Sequence, residues 1–170
     1  MNNKTFLEEK EKLKEINNKV LEEEKLIEEE LRKSDMNYTM EDIAKGEVLL
    51  TRVKKLENIK KIKNVPYFAR MDFKEENRDL EKLYIGKISI LDSKTAEPII
   101  VDWRAPISNL YYEGKIGSAE YECLGKKIKG DILLKRQYII EKKQLKKYID
   151  INVTGNDELL QNALEEKGDD

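Results

Sequence analysis

The chain has 170 residues, of which 40% are charged and 39% hydrophobic, and its formal net charge is −2 at pH 7. The near-zero net charge gives no overall basic signal for nucleic-acid binding. The chain has no histidine, which excludes Ser-His-Asp, Cys-His and imidazole-zinc sites. Its single cysteine excludes an internal disulfide. With no histidine and a single cysteine, we also expect no bound metal. Because the N-terminus is polar and no apolar run approaches the ~20 residues that span a bilayer, we expect a cytoplasmic protein with no membrane contact.

The first predicted element is one long helix over residues 4–33. Its apolar residues recur at spacings of three, four and seven, and nearly everything between them is Glu, Lys or Asn. Such a narrow apolar stripe is typical of a coiled-coil seam. The stripe consists of Phe6, Leu13, Ile16, Val20, Ile27 and Leu31.

A second helix is predicted from Met40 to about Lys63. Thr39 suits the N-cap position, with Asp42 three residues later as an approximate capping box, and Pro66 prevents the helix from continuing. The apolar side of this helix is predicted to contain Ile43, Leu49, Val53, Leu56 and Ile59.

The connection between the two helices is only about five residues long, so the helices are expected to be antiparallel neighbours. Residues 1–64 are therefore predicted to form an antiparallel coiled-coil arm. In this arrangement the acidic residues near the start of the first helix lie beside basic residues near the end of the second. The expected partners are Glu8, Glu9 and Glu11 on one helix, and Lys54, Lys55, Lys60 and Lys61 on the other.

Residues 65–170 are predicted to form a mostly β module. The strand-like runs 83–91 and 98–103 are joined by a polar stretch, which predicts a hairpin. Further predicted strands cover 119–123, 126–128, 131–141 and 145–151, and a short terminal helix covers 157–166. The predicted fold class is α+β: a long antiparallel helical hairpin, a small and mostly antiparallel β module, and a short C-terminal helix.

Acidic residues cluster where the two helices are joined. Asp35, Glu41 and Asp42 lie at the predicted end of the arm and are candidates for a partner-binding tip. Acidic residues are also favoured at a helix start by the helix dipole and on a solvated surface. Both interpretations stay open at the level of the sequence.

The predicted strands at 126–147 are strongly basic. They carry nine Lys or Arg against two acidic residues, a local charge of +7. This stretch predicts either contact with a nucleic-acid backbone or an acidic partner, or an ordinary solvated strand face. The candidate contacts are Lys126, Lys127, Lys129, Lys135 and Arg136.

Two Gly-Lys pairs, at 86–87 and 125–126, raise the question of a phosphate loop. Neither pair has a glycine five residues earlier or a Ser or Thr directly after the lysine. We therefore expect no ATP site, no cofactor and no catalytic residue in this chain.

The chain's only tryptophan lies in the block DWRAPISNLYY at 102–112. Asp102 and Arg104 flank Trp103, which suggests either a catalytic pair or a clamp at a strand end. In the clamp, the indole packs in the core and the guanidinium binds a carboxylate or carbonyl group. We favour the clamp, and so predict a structural role for the block's distinctive residues: Asp102, Trp103, Arg104, Pro106, Tyr111 and Tyr112.

Taken together, PYFARMDF at 66–73, the 102–112 block, LKRQY at 134–138 and GNDELLQ at 155–161 resemble the N-terminal part of HelD-type proteins. These are UvrD/Rep-like superfamily-one helicase relatives that bind bacterial RNA polymerase, and the resemblance covers about residues 64–161. It implies that an antiparallel coiled coil enters the secondary channel of the polymerase to help release it from nucleic acid. It also implies that ATP, Mg²⁺ and DNA are bound through a motor region that follows the β segment.

The predicted tip departs from the family, because the family's arm often has a longer and more acidic end. Two other functions fit parts of the sequence. A helical hairpin followed by a β domain is also the layout of the Gre transcript-cleavage factors, in which two acidic tip residues hold Mg²⁺. The basic stretch alone would suit a DNA-binding accessory domain of a helicase, whose affinity would depend steeply on salt.

Overall fold

The computed structural model describes residues 2–34 and 40–151 with their side chains, except the side chains of 34, 40–45, 47 and 48. Two helices come first, α1 (Asn3–Ser34) and α2 (Met40–Ile62). The prediction of a long N-terminal helix is therefore confirmed. The joining stretch with Thr39 and the predicted C-terminal helix lie outside the described residues. No helix among the described residues is long and apolar enough to cross a membrane.

The apolar stripe of α1 lies inside the protein in a cluster that also contains residues of the sheet, so its interpretation as a coiled-coil seam stays a prediction. Leu13, Ile16, Val20 and Ile27 are all buried, and Phe6 and Leu31 pack against them at the edges of the stripe. On α2 the prediction is only partly right: Ile59 is fully buried, but Val53 leaves 37% of its surface exposed.

The seven strands form one mixed sheet. They are β1 (Ala69–Glu75), β2 (Glu81–Gly86), β3 (Ile90–Leu91), β4 (Pro98–Asp102), β5 (Gly117–Cys123), β6 (Lys126–Glu141) and β7 (Gln144–Asp150). Their order is β3-β4-β2-β1-β6-β5, and β7 pairs with the remaining length of β6. A turn of 3-10 helix (Pro106–Ser108) and α3 (Asn109–Glu113) connect β4 to β5.

The predicted hairpin of 83–91 with 98–103 is wrong in part. The first run breaks at Gly86, so that β2 pairs with β4 in parallel and only the short β3 forms an antiparallel hairpin with β4. A Cβ atom at Gly86 would lie 2.5 Å from the Pro66 carbonyl oxygen, so the chain passes too close there for any larger residue. The sequence run looked continuous because its apolar residues go on past this crossing point.

One other strand prediction fails and one strand was missed, both for reasons of packing. The expected break near Gly130 is absent, and β6 runs through it because the glycine lets Lys74 and Phe73 of β1 approach closely. The central strand β1 was not predicted. Met71, Asp72 and Phe73 are all buried, so β1 lacks the alternation of a half-buried strand.

Helices cover both faces of the sheet. On one face, apolar residues of α1 and α2 share a single cluster with Tyr67, Tyr84 and Tyr138, whose rings contact each other edge to face or stacked. On the other face, Leu110 of α3 and the 3-10 turn cover a second cluster. Its buried members are Ala69, Met71, Phe73, Leu83, Ile85, Leu110 and Ile132.

Candidate partner-binding surfaces

A buried ionic cluster joins the start of α1 to the sheet. Glu9 is only 3% exposed; its Oε1 accepts hydrogen bonds from Arg70 Nη1 at 3.1 Å and from Tyr84 Oη at 3.3 Å. Its other oxygen lies 3.5 Å from Arg136 Nη1. One carboxylate of α1 thus faces two guanidinium groups, from β1 and β6.

Each arginine of the ionic cluster has a second carboxylate. Arg70 donates two hydrogen bonds to Asp72, at 2.8 and 2.9 Å, and Arg136 donates two to Asp150, at 2.5 and 3.2 Å. Burial alone would lower the pKa of Arg70, but the bond to Asp72 and the nearby acidic groups raise it above its usual range. The same balance, with Asp150 as the main partner, raises the pKa of Arg136. Both guanidinium groups therefore stay charged, and the cluster anchors α1 to the sheet.

Sequence reasoning missed the ionic cluster, although one signal was present. Glu9 lies three residues after Phe6 and four before Leu13, so it interrupts the apolar stripe of α1 at a position that faces the sheet. An acidic residue at such a position predicts a buried basic partner. The sequence contains too many Lys and Arg to show which one it is.

A second anchor ties the middle of α1 to the β3–β4 turn. Glu23 is buried and accepts hydrogen bonds from Ser93 N at 2.5 Å and Ser93 Oγ at 2.7 Å. Lys55 of α2 donates to Glu23 at 3.3 Å and to the carbonyl oxygen of Leu91 at 3.1 Å. This anchor therefore joins both helices and the turn.

Two more ion pairs start from α1: Glu30 with Arg52 of α2 at 2.9 Å, and Glu24 with Lys63, the residue after α2, at 2.7 Å. The expected pairing of Glu9 with lysines of α2 is wrong, because the sheet's arginines take this carboxylate. The position of α1 is set by the sheet as much as by α2.

The candidate tip residues lie at the edge of what the structure describes. Asp35 is outside the described residues, and Glu41 and Asp42 belong to α2 with side chains that are not described. Their partner-binding role stays a prediction. Within the described part of the chain, no three His, Cys, Asp or Glu side chains are placed to hold a metal ion.

The tryptophan block forms an exposed aromatic and ionic surface. Arg104 donates to both oxygens of Asp102, at 3.1 and 2.9 Å, and these bonds are the main reason why the pKa of Asp102 lies below its usual value. The expectation that the indole packs in the core is wrong: Trp103 is 44% exposed. Its ring lies edge to face with the half-exposed Tyr112, their centroids 6.4 Å apart.

The reason for this exposure is that the end of the block forms α3 and turns its own apolar residues toward the sheet. Leu110 fills the core position on this face and Tyr111 packs beside it, which leaves the indole at the rim, while Pro106 is exposed. Burial raises the pKa of Tyr111. Ser108 is buried and donates to the carbonyl oxygen of Asp102 at 2.8 Å, which ties the 3-10 turn to the end of β4.

The basic stretch divides into an exposed and a buried part. The exposed Lys126, Lys127 and Lys129 lie on the β5–β6 hairpin, where Glu122 and Glu120 stand opposite the last two. Lys135 and Arg136 are buried: Lys135 donates to the carbonyl oxygen of Gly114, and burial lowers its pKa. The five candidate contacts therefore do not share one surface.

The chain was compared with models of known protein families. The family model described as DNA helicase IV HelD, N-terminal domain, matches residues 6–165, which leaves five residues unmatched at each end. The chain matches none of the curated proteins with which it was compared.

Proposed function

Because this chain belongs to the family of N-terminal domains of DNA helicase IV HelD, we propose that it is the non-catalytic, polymerase-binding region of a HelD-like ATPase. In this proposal the paired helices α1 and α2 enter the secondary channel of bacterial RNA polymerase. The chain acts in the cytoplasm and helps to release or recycle the polymerase. ATP, Mg²⁺ and DNA are bound by a motor region of the parent protein.

The observation that carries the proposal is the placement of α1. A helix of 32 residues is about 48 Å long, and its hydrogen bonds to the sheet extend from Asn2 to Glu23. The remaining residues 24–34 span roughly 16 Å, and within them Glu30 pairs with Arg52 of α2. This length of helix beyond the sheet anchors supports an arm that reaches into a partner.

The ion pairs support an antiparallel coiled coil. Along α1 from Glu30 to Glu24, the partner moves from Arg52 of α2 to Lys63, directly after the end of α2, so the two helices run in opposite directions. The ionic cluster at Glu9 then fixes the angle between this arm, residues 1–64, and the β module, residues 65–170. A fixed angle would let the β module aim the arm.

The test is binding of the chain to core RNA polymerase by interferometry at physiological salt, with duplex DNA as the comparison. Saturable binding to the polymerase and not to DNA is the expected result. Binding to DNA alone, with a steep salt dependence, would replace the proposal with the accessory-domain alternative.

A matched pair of variants locates the contact. Replacing Asp35, Glu41 and Asp42 by Ala removes three charges from the proposed tip. Replacing Glu8, Glu11 and Glu22 by Ala removes the same charge from exposed positions of α1. We expect only the first triple variant to weaken polymerase binding, and equal affinities would show that the tip makes no contact.

A further inference from the structure

Among the described residues, no strand pairs with the outer edge of β5. This strand is the last in the sheet order, and a groove of about 550 Å³ runs beside it. Five consecutive residues, 118–122, line this groove, and Asn109, Leu110 and Glu113 form part of the opposite wall. Since neighbouring side chains of a strand point to opposite faces, five in a row can line one groove only if it follows the strand's edge.

The hairpin register shows which backbone groups face this groove. Cys123 and Lys126 flank the two-residue turn, and the pairs continue without a bulge to Gly117 and Ile132. In a two-residue hairpin, the pair of residues that flanks the turn is hydrogen-bonded, and hydrogen-bonded and non-hydrogen-bonded pairs alternate from there. Residues of the non-hydrogen-bonded pairs point their N–H and C=O groups away from the partner strand. The outward N–H and C=O groups are therefore those of Ser118, Glu120 and Glu122. Among the described backbone bonds outside the sheet ladders, none involves residues 118–122.

The groove is acidic. Glu113, Glu120 and Glu122 are exposed, and no ion pair found among the described residues includes any of them. Among the described residues that line it, Lys115 is the only basic one. The volume falls within the ~300–1,000 Å³ typical of ligand-binding clefts.

We propose that the free edge of β5 binds an extended basic peptide segment as an added strand. Main-chain hydrogen bonds to the outward groups of β5 supply affinity, and Lys or Arg at alternate positions of the peptide face Glu120 and Glu122. Apolar side chains at the positions between them meet the opposite face, where Ala119, Tyr121 and Leu110 lie.

The same charges select the occupant. Pairing with a second copy of β5 would bring carboxylates of two chains together, and like charges across strands are unfavourable. A basic segment has the opposite charge and would take the outer side of Glu120 and Glu122, whose inner sides face Lys129 and Lys127 of β6. This site is separate from the α1–α2 arm, so the proposal stands or falls independently of polymerase binding.

The probe is a synthetic peptide of sequence KVKTKVK with blocked ends, added to the isotope-labelled full chain. Amide hydrogen exchange by NMR should show at least tenfold slower exchange at Glu120 and Glu122. The exchange of Tyr121, whose amide already faces β6, should not change. Slower exchange elsewhere, with none at these two amides, would overturn the proposal.

Two controls separate strand addition from simple charge attraction. The same peptide N-methylated at its three central amides keeps its charge but cannot form the ladder, and should bind at least tenfold more weakly. The double variant E120Q/E122Q should weaken binding of the unmodified peptide by a similar factor, whereas E8Q/E11Q on exposed α1 should not. Equal binding of the methylated peptide, or equal effects of both double variants, would show non-specific attraction and reject the site.

Discussion

Replacing Glu9 by Ala tests whether the ionic cluster holds α1 on the sheet. The substitution removes a charged hydrogen bond from Arg70, typically about 1.5–3 kcal/mol, and the bond from Tyr84, typically about 1 kcal/mol. Arg70 keeps its ion pair with Asp72, and Arg136 keeps its ion pair with Asp150. The loss of stability should therefore be smaller than when a buried charge is left without any partner. We expect the free energy of unfolding to fall by about 2–4 kcal/mol.

The measurement is urea unfolding followed by circular dichroism at 222 nm, with Glu8→Ala as the control. Glu8 is adjacent but exposed, so its substitution should change stability by no more than about 0.5 kcal/mol. Tyr84→Phe should cost about 1 kcal/mol in the wild-type chain and much less in the Glu9→Ala background, because the two groups share one bond. If Glu9→Ala and Glu8→Ala unfold at the same urea concentration with equal slopes, the cluster does not anchor the helix.

Three further predictions follow from backbone geometry and burial. Gly130→Ala should cost about 1–3 kcal/mol because its methyl group would meet β1, whereas Gly46→Ala on open α2 should gain about 1 kcal/mol; equal urea midpoints would contradict the close approach. Leu124 is 99% exposed, and its φ of 52° lies in the left-handed region, which asparagine adopts more easily than leucine. Leu124→Asn should therefore raise the free energy of unfolding by about 0.5–1 kcal/mol, and a lower melting temperature would refute this. Burial is the main reason why the pKa values of Tyr67 and Tyr84 are raised, and the charge of Glu9 raises both further. Stability should therefore be full below about pH 10, where unfolded tyrosines begin to ionise, and fall as the pH rises further. Tyr84→Phe should flatten this alkaline decline, which urea midpoints between pH 8 and 11 would show.

The outcome for individual residues shows why some predictions held and others did not. The stripe residues Leu13, Val20 and Ile27 are buried because helical spacing alone brings them to one face. Trp103 was expected inside on the strength of its size and apolar character. Its position depends on which nearby side chain fills the core, and Leu110 does so.

For the candidate sites, too, the sequence gives the local charge, whereas strand pairing decides which charged residues are exposed. The local charge of +7 in 126–147 is a property of the sequence, but its distribution is not. Strand pairing buries Lys135 and Arg136 and leaves Lys127 and Lys129 opposite glutamates. The acidic groove beside β5 could not have been predicted, because it joins α3 to a strand edge that exists only once the sheet order is known.

Local patterns in the sequence were enough to predict the long N-terminal helix, its single apolar face, the α+β class and, through the motifs, the HelD family. These depend on periodicity and on local residue patterns, which are complete within short stretches of chain. Only the tertiary structure decided the parallel pairing of β2 with β4, the continuous β6, and the choice of Arg70 and Arg136 as partners of Glu9. Each of these joins residues far apart in the chain, where close approach and burial select one arrangement among many that the sequence allows.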